Sequence, residues 1–253
     1  MSGWQFAAFL GCVALATCAQ GITGFALALI LLGLSSLFEL APLPDVANVA
    51  TVLSLASAVI ALRGTRGSLD WAIWKPTVSG SVFGYGVGVA LMAWLNANVV
   101  MVLRLLLGVV VIACALVVLL RTEPLARRSS PASFRGFGFV SGVLGGLFSA
   151  SGPPLVYQFY RQPVALDAVR DTLVAALATG SLIRLAMVVP AGQFTLRSLL
   201  LCAVSLPVAI GLTWWMRRHP PKWPRETVLK IVCGLLLVTG AGLIGPAVGA
   251  LMA

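Results

Sequence analysis

Charge is scarce in this sequence, and acidic residues are scarcest of all. Only 9% of its 253 residues are Asp, Glu, Lys or Arg, whereas soluble domains carry roughly 25%. Hydrophobic residues make up 60% of the chain, and the mean hydropathy is +1.03. Apolar runs of about 20 residues, the length of a membrane-spanning helix, recur along the whole sequence. The composition excludes an ordinary soluble domain and predicts an all-α polytopic membrane protein.

Residues that bind metals or act as nucleophiles are also rare. His219 is the single histidine, and the five cysteines are scattered without C-x-x-C spacing. Such a set predicts no metal site, no cofactor and no catalytic residue. An intramembrane enzyme would lack its reactive groups here, so we expect that the protein is not an enzyme. A non-transporting membrane scaffold or assembly factor stays an alternative to a transporter.

The net charge of +10 arises from 17 basic against 7 acidic residues. In a soluble protein this excess would indicate a nucleic-acid partner. Here the basic residues cluster in short loops between apolar runs, where they set the orientation of the spans in the membrane. We therefore expect the lipid bilayer, and no nucleic acid, as a partner.

Two stretches interrupt otherwise apolar segments, and the first is residues 20–25. It lies within residues 4–38, which contain no charged side chain; the first charged residue is Glu39. As one helix this run would be about 52 Å long, against a hydrocarbon core of about 30 Å. We predict a break at residues 21–24, with arms 4–20 and 25–38 forming a helical hairpin; two short spans are the alternative.

The second interruption is residues 149–157, which combine small hydroxyl side chains with the consecutive Pro153 and Pro154. Prolines supply no backbone N–H, so a straight helix does not continue through them. Within a bilayer, broken backbone is tolerated only where protein buries it or where it lines a wet cavity. We expect the two breaks to face each other around a small-anion site. Close helix packing is the alternative role for their glycines.

The two halves of the chain align with each other at shifts of 123 to 128 residues. Thr23-Gly24 falls on Ser151-Gly152, and Asn48 falls on Asp171. We predict an N-terminal repeat over residues 1–121, a cytoplasmic linker over 122–135 and a C-terminal repeat over 136–253.

The basic residues discriminate between two topologies. Four plain spans in each half would divide them nine to eight between the two sides of the membrane. A hairpin plus three spans in each half leaves fourteen on one side and three (Arg104, Arg184 and Arg197) on the other. Because this second topology has an odd number of crossings per half, it inverts the second copy. We predict two inverted repeats, each a broken-helix hairpin plus three transmembrane helices, with both termini outside the cytoplasm.

Inverted repeats place half-helix N-termini near the membrane midplane, where their partial positive charge suits an anion. Asn48 and Thr51 either contact the substrate or form an interhelical hydrogen bond. Asp171 caps a helix or carries a proton. Arg184 attracts the anion or extends to the membrane edge. The predicted substrate-binding residues are Gln20, Thr23, Gly24, Phe25, Asn48, Thr51, Ser149, Ser151, Gly152, Pro153, Tyr157, Asp171, Thr172 and Arg184.

With these motifs the sequence resembles the TauE/SafE family of sulfite and organosulfonate permeases. The resemblance rests on Gln20-Gly21-Ile22-Thr23-Gly24-Phe25, Asn48 and its span, Arg63-Gly64-Thr65-Arg66, Asp70-Trp71, Gly142-Val143-Leu144-Gly145-Gly146, Ser151-Gly152-Pro153-Pro154-Leu155 and Val169-Arg170-Asp171-Thr172-Leu173. It implies transport of sulfite, an organosulfonate or a related organic anion across a bacterial inner membrane.

A secondary transporter that works by alternating access around the paired breaks fits both the motifs and the resemblance. The substrate gradient, the membrane potential and protons are the candidate driving forces. Sequence leaves open the direction of transport, the coupling ion and the oligomeric state.

Overall fold

The computed structural model of the chain describes residues 3–23, 25–62, 69–119, 125–218 and 233–244. Over these residues the chain forms helices and connecting turns, with no β-strand. The helices are α1 (Gly3–Thr23), α2 (Leu27–Leu37), α3 (Leu43–Leu62), α4 (Trp71–Asn98), α5 (Val100–Leu119), α6 (Pro131–Phe148), α7 (Gly152–Tyr160), α8 (Leu166–Val188), α9 (Leu196–Arg218) and α10 (Cys233–Ile244).

Five of these helices, α1, α3, α4, α8 and α9, are long and apolar enough to cross a membrane. Shorter apolar stretches are α2 (Leu27–Leu37), the Val100–Leu116 part of α5 and α10 (Cys233–Ile244). The prediction of an all-α polytopic membrane protein is confirmed.

Helices α6 and α7 form a helical hairpin. The backbone N–H of Ser129, just before α6, donates to Gln162 Oε1 at 2.9 Å, and Gln162 Nε2 donates to Ser129 Oγ at 3.0 Å. Because Gln162 follows the end of α7, the chain enters and leaves the hairpin on the same side. Its arms of 18 and 9 residues are about 27 and 14 Å long.

The first break differs from the prediction. Helix α1 continues through Gly21 to Thr23, so its 21 residues are long enough to span the membrane rather than forming the short arm 4–20. Gly21 lies inside the helix and faces Met216: an added Cβ would lie 3.0 Å from the Sδ and Cε atoms of that flexible side chain. Gly24 lies outside the described residues. The short, buried partner is α2.

Helices α4 and α6 run parallel and pack through glycines. A Cβ added at Gly138 would lie 2.2 Å from the carbonyl oxygen of Thr77, and one added at Gly142 would lie 2.3 Å from that of Ser81. The residue numbers rise together along both helices, which fixes the parallel direction. Such close backbone approach is typical of small-residue interfaces in membranes. The helix α6 begins at Pro131, capped by Ser130, so part of the segment assigned to the linker is helical.

Helices of the first half pair with helices of the second half that begin about 125 residues later and have equivalent packing neighbours. Helices α2 and α7 begin 125 residues apart, α3 and α8 begin 123 apart, and α4 and α9 begin 125 apart. Helix α4 packs on α6 and α8, while α9 packs on α1 and α3. Helices α3 and α8 are antiparallel, since Asn48 near the start of α3 contacts Arg184 near the end of α8.

The two ends of the helix bundle are called the open face and the closed face below. The open face holds residues 69–71, 125–131 and 161–166, which the Ser129–Gln162 hydrogen bonds and the Asp70–Arg128 ion pair help to hold together. The closed face holds residues 38–43 and 189–196. Helix α3 starts at the closed face and α8 starts at the open face.

Candidate functional site: a cavity at the paired helix breaks

A cavity of about 550 Å³ lies where the two helix breaks meet. Phe25, after the first break, packs directly on Gly152, after the second: a Cβ added at Gly152 would lie 2.4 Å from Phe25 Cβ. The breaks therefore face each other, as the sequence predicts. The predicted site residues that line the cavity are Gln20, Thr23, Phe25, Ser149, Ser151 and Gly152.

Ser149 turns the chain from α6 into α7. It adopts the left-handed conformation, with φ 56° and ψ 19°, and its N–H donates to Gly145 O at 2.8 Å. For a residue with a Cβ this conformation costs about 1 kcal/mol. The hydroxyl of Ser141 donates to the carbonyl oxygen of Ser151 at 2.6 Å and holds the far side of the turn. The strained turn places the Ser149 hydroxyl on the cavity wall.

The helices that leave the breaks have first turns without side-chain caps. The N-cap residues Ala26 of α2 and Ser151 of α7 make no side-chain hydrogen bond to them. Thr23 Oγ1 accepts weakly from the N–H groups of Phe25 and Ala26, at 3.5 and 3.3 Å. Uncapped helix N-termini carry partial positive charge and N–H groups that suit an anion. In α7 only Ser151 and Gly152 supply such N–H groups, because Pro153 and Pro154 have none.

Arg184 is buried, with 2% exposure, between α3 and α6. Its Nη1 donates to Asn48 Oδ1 at 3.0 Å and to Thr51 Oγ1 at 2.8 Å, and its Nε donates to Gly146 O at 3.2 Å. None of these acceptors is a carboxylate, so the guanidinium is held by neutral oxygens. The alternative in which Arg184 extends to the membrane edge is wrong, because α3 and α6 supply its acceptors inside the bundle.

A hydrogen-bond relay joins Arg184 to the cavity. Arg184 Nη1 donates to Thr51 Oγ1 at 2.8 Å, and Thr51 Oγ1 is hydrogen-bonded to Ser149 Oγ at 2.9 Å. Because the single proton of Thr51 is donated to the carbonyl oxygen of Ala47 at 2.7 Å, the hydroxyl of Ser149 is the donor in the pair with Thr51. Thr51 and Asn48 are fully buried and are not lining residues; they form the interhelical hydrogen bonds that were one of their two expected roles. Ser149, which lines the cavity, is thus two hydrogen bonds away from a buried cation.

Several predicted site residues lie away from the cavity wall. The Tyr157 hydroxyl accepts from Arg161 Nη1 at 2.8 Å. Thr172 Oγ1 accepts the backbone N–H of Asp70 at 2.9 Å and so ties α8 to the start of α4. Pro153 is buried in the first turn of α7. These side chains support the site from outside it.

Asp171 is not a helix N-cap. Helix α8 begins at Leu166, with Ala165 in the N-cap position, so Asp171 lies inside the helix in its second turn. The expectation of an Asp171 cap was wrong because Asp167 and Arg170, two charged residues, lie inside the first turns of the helix, where they favoured a loop from the sequence.

The cavity also contains residues that the sequence analysis did not select. Ser54, Ser57 and Ser181 were visible as polar residues on apolar spans, but spacing alone did not show that they share a wall. Tyr85 is buried beside Ser151, and its hydroxyl packs so closely on Gly180 that a Cβ there would lie 2.2 Å from it. The additional polar lining residues are Thr17, Ser54, Ser57, Tyr160, Arg170, Ser181 and Thr213.

The charge of the cavity favours an anion. Arg170 is the one charged side chain among the lining residues of the described chain, and its exposure shows that the cavity reaches the open face. No Asp or Glu is among those lining residues. Within the same described ranges, no group of three or more His, Cys, Asp or Glu residues is placed to hold a metal ion.

Comparison with known proteins agrees with this geometry. The sequence profile described as "Sulfite exporter TauE/SafE" matches residues 9–251. A relative named "Probable sulfite/organosulfonate exporter TauE", from Cupriavidus necator, is 34% identical over 231 residues, which cover 91% of this chain and 90% of the relative. No solved structure matches the chain significantly. Because the match spans nearly the whole chain, the protein belongs to the sulfite exporter TauE/SafE family, a family of transporters rather than enzymes.

Proposed function

We propose that this protein is a secondary transporter that exports a small sulfur-containing anion, sulfite or an organosulfonate, from the bacterial cytoplasm. The observation that carries the proposal is the Arg184–Thr51–Ser149 relay. Arg184 is positively charged, its direct acceptors are neutral, and the relay ends on the wall of the cavity. An anion bound at Ser149 supplies the negative charge that stabilises the buried cation.

The size of the cavity agrees with this substrate class. Ligand sites in proteins are commonly about 300–1,000 Å³, and this cavity of about 550 Å³ accommodates an organosulfonate with its carbon chain. The lining combines hydroxyl groups from the two breaks with the apolar side chains Leu173, Val174 and Leu177 of α8. The arrangement suits a sulfonate head with a short apolar tail.

Alternating access requires one face to be open while the other is sealed. The cavity reaches the open face at Arg170. Towards the closed face, α3 and α8 are held together by the Arg184 hydrogen bonds to Asn48 and Thr51. Inverted repeats supply a second conformation in which these roles are exchanged. Their presence is supported by the antiparallel packing of α3 against α8 and by the corresponding neighbours of α4 and α9.

The open face is assigned to the cytoplasm. Fourteen of the seventeen basic residues fall on this side in the inverted topology, as the positive-inside rule requires. Both termini then lie outside the cytoplasm. An anion that enters from the cytoplasm leaves down the inside-negative membrane potential, which contributes about 2.3 kcal/mol per charge per 100 mV. The potential therefore drives export without a co-transported proton.

Proteoliposomes loaded with radiolabelled isethionate, sulfoacetate or sulfite test the proposal. The wild type is expected to release at least one of them, faster under a potential that is negative on the loaded side. Gly152→Val forces the breaks apart at Phe25 and is expected to abolish release. Gly211→Val is the matched control, because a Cβ at Gly211 meets nothing within 4 Å. Failure of the wild type to release any of the three anions refutes the proposal.

A further inference from the structure

Tyr85 is a buried polar side chain beside the second break, and it takes no part in the relay from Arg184 to Ser149. It belongs to α4, and only 2% of it is exposed. Its backbone is fixed against α6: a Cβ added at Gly142 would lie 2.9 Å from the Tyr85 nitrogen, and one added at Gly146 would lie 2.7 Å from the Tyr85 carbonyl oxygen. Since glycines bring the two backbones together here, helix packing sets the position from which the ring leaves α4.

Two further glycines leave the space that the end of the ring occupies. A Cβ added at Gly145 of α6 would lie 2.5 Å from the Tyr85 hydroxyl oxygen, and one added at Gly180 of α8 would lie 2.9 Å from Cζ of the same ring. An aromatic ring is rigid, and in a close-packed interior it has no room to move away. The phenol hydroxyl is therefore held at the contact between α6 and α8.

The side chain that this hydroxyl meets is Ser151, with which it forms a hydrogen bond. The backbone of Ser151 is held independently, because its carbonyl oxygen accepts the hydroxyl proton of Ser141 at 2.6 Å. Ser141 and Gly145 lie one turn apart near the end of α6, so the ring and the break are fixed to the same part of this helix. Ser151 lines the cavity and Tyr85 does not, which places the Tyr85 hydroxyl directly behind the cavity wall.

The two serines of the second break differ in what their protons do. A serine hydroxyl has one proton to donate. Ser149 donates it to Thr51, whose own proton goes to the carbonyl oxygen of Ala47. Ser151 makes no side-chain hydrogen bond to the first turn of α7. Of these two hydroxyls, that of Ser151 has a proton to offer an anion in the cavity, provided that it does not donate to Tyr85.

Arg184 sets the direction of the hydrogen bond between Tyr85 and Ser151. Gly180, against which the Tyr85 hydroxyl packs, lies one turn before Arg184 in α8, and the phenol and the guanidinium interact electrostatically. Hydroxyl dipoles orient in the field of nearby charges, so the phenol oxygen faces the cation and the phenol proton points away from it. Tyr85 is then the donor and the Ser151 oxygen is the acceptor, which leaves the Ser151 proton for the cavity.

We propose that Tyr85 is a positioning residue for the anion site, which directs the Ser151 proton towards the bound anion by donating its own proton to the Ser151 oxygen. This inference rests on the proposed function, since it assumes that a sulfonate or sulfite binds at the second break. A hydroxyl that accepts one hydrogen bond becomes a stronger donor in the next. Tyr85 thereby adds to the anion affinity without contacting the anion.

Three variants test whether Tyr85 acts through Ser151. Tyr85→Phe keeps the ring and removes only the hydroxyl, so the Kd for sulfoacetate or isethionate is expected to rise roughly fivefold, as for the loss of one neutral hydrogen bond. Ser151→Ala removes the donor to the anion itself, and the Kd should rise about twentyfold. In the double variant the Kd should equal that of Ser151→Ala, because Tyr85 has no other route to the anion. Isothermal titration of purified protein in detergent measures all three constants.

Ser205→Ala is the matched control, because it removes another buried hydroxyl that lies outside the cavity wall, and it should keep the wild-type Kd. A wild-type Kd in Tyr85→Phe would overturn the inference. A double variant that binds about fivefold more weakly than Ser151→Ala would also overturn it, because Tyr85 would then act independently of Ser151, as a merely structural residue does. If Tyr85→Phe does not fold, Tyr85→Met replaces it, since the flexible methionine fills the same space without a hydroxyl.

The wild-type titration keeps the two proposals distinguishable. If wild-type protein binds none of isethionate, sulfoacetate and sulfite, the proposed function fails. If the wild type binds one of them and Tyr85→Phe binds that anion equally well, only the positioning role of Tyr85 fails.

Discussion

Helices α3 and α8 make different contacts towards the closed face and towards the open face of the molecule. Because these helices begin 123 residues apart, Thr51 of α3 corresponds to Val174 of α8, and Ala61 of α3 corresponds to Arg184 of α8. At the closed face Thr51 and Arg184 meet and hydrogen-bond. At the open face their counterparts Val174 and Ala61 line the cavity instead.

This difference indicates what seals one face and leaves the other open. Arg184 finds four acceptors on α3 and α6 and so joins these two helices to α8. Alanine and valine at the corresponding positions provide no polar group to bridge the same gap. A few side chains therefore distinguish the contacts of α3 and α8 on the two sides of the bundle.

Removal of Arg184 is expected to have the largest effect. Arg184→Leu eliminates the buried charge and two or more of its hydrogen bonds, so the affinity for a sulfonate should fall about 100-fold. In Arg184→Leu the contact between α3 and α8 also loses its polar hydrogen bonds. If Ser198→Cys is added to this variant in a cysteine-free background, the new cysteine should become reactive to a membrane-impermeant maleimide. Anion titration and labelling measure the two effects.

Arg104→Leu is the matched control, because Arg104 forms an exposed ion pair with Glu39 at 2.8 Å and exposed pairs contribute little. Retention of wild-type affinity in Arg184→Leu would show that the closed face does not serve anion binding.

Substitution of Ser149 is expected to separate stability from affinity. Ser149→Gly and Ser149→Ala both remove the end of the relay, so each should bind a sulfonate about tenfold more weakly. Glycine also relieves the left-handed strain at φ 56°. The free energy of unfolding of Ser149→Gly should therefore be about 1 kcal/mol higher than that of Ser149→Ala. Chemical denaturation in detergent and anion titration provide the two readouts.

Glu39, with φ 49° and no place in the cavity wall, supplies the matched pair for Ser149. Glu39→Gly and Glu39→Ala should differ in stability by a similar amount while both keep wild-type anion affinity. If the two Ser149 variants keep that affinity as well, the relay does not end at the substrate.

Neutralisation of Arg170 at the open face is expected to have the smallest effect. Arg170 is exposed, so its attraction for an anion is screened by salt. Arg170→Gln should weaken sulfonate binding roughly threefold at low ionic strength, and the difference should disappear near 1 M salt, where the Debye length is about 3 Å. Arg197→Gln, an exposed change near the closed face, should have no effect; equal effects of the two changes would remove the asymmetry between the faces.

The residues that form the breaks were predictable from the sequence. Consecutive prolines at 153 and 154 and an uncharged run too long for one helix are local properties, and each forces an interruption in a bilayer. For the same reason Ser149, Ser151 and Thr23 were identified as candidates before their surroundings were known. The exact end of α1 was missed, because a glycine inside a helix costs only about 1 kcal/mol relative to alanine and does not by itself end the helix.

What the sequence by itself determined is thus the class of protein, the approximate place of its two interruptions and the polar residues at them. Tertiary structure alone decided that Arg184 reaches Asn48 and Thr51, residues 136 and 133 positions away, and that Asp45 meets Ser198 across 153. Such partners depend on which helix faces cross, and helical periodicity does not specify them. A buried charge needs acceptors, and only the folded bundle shows where they are.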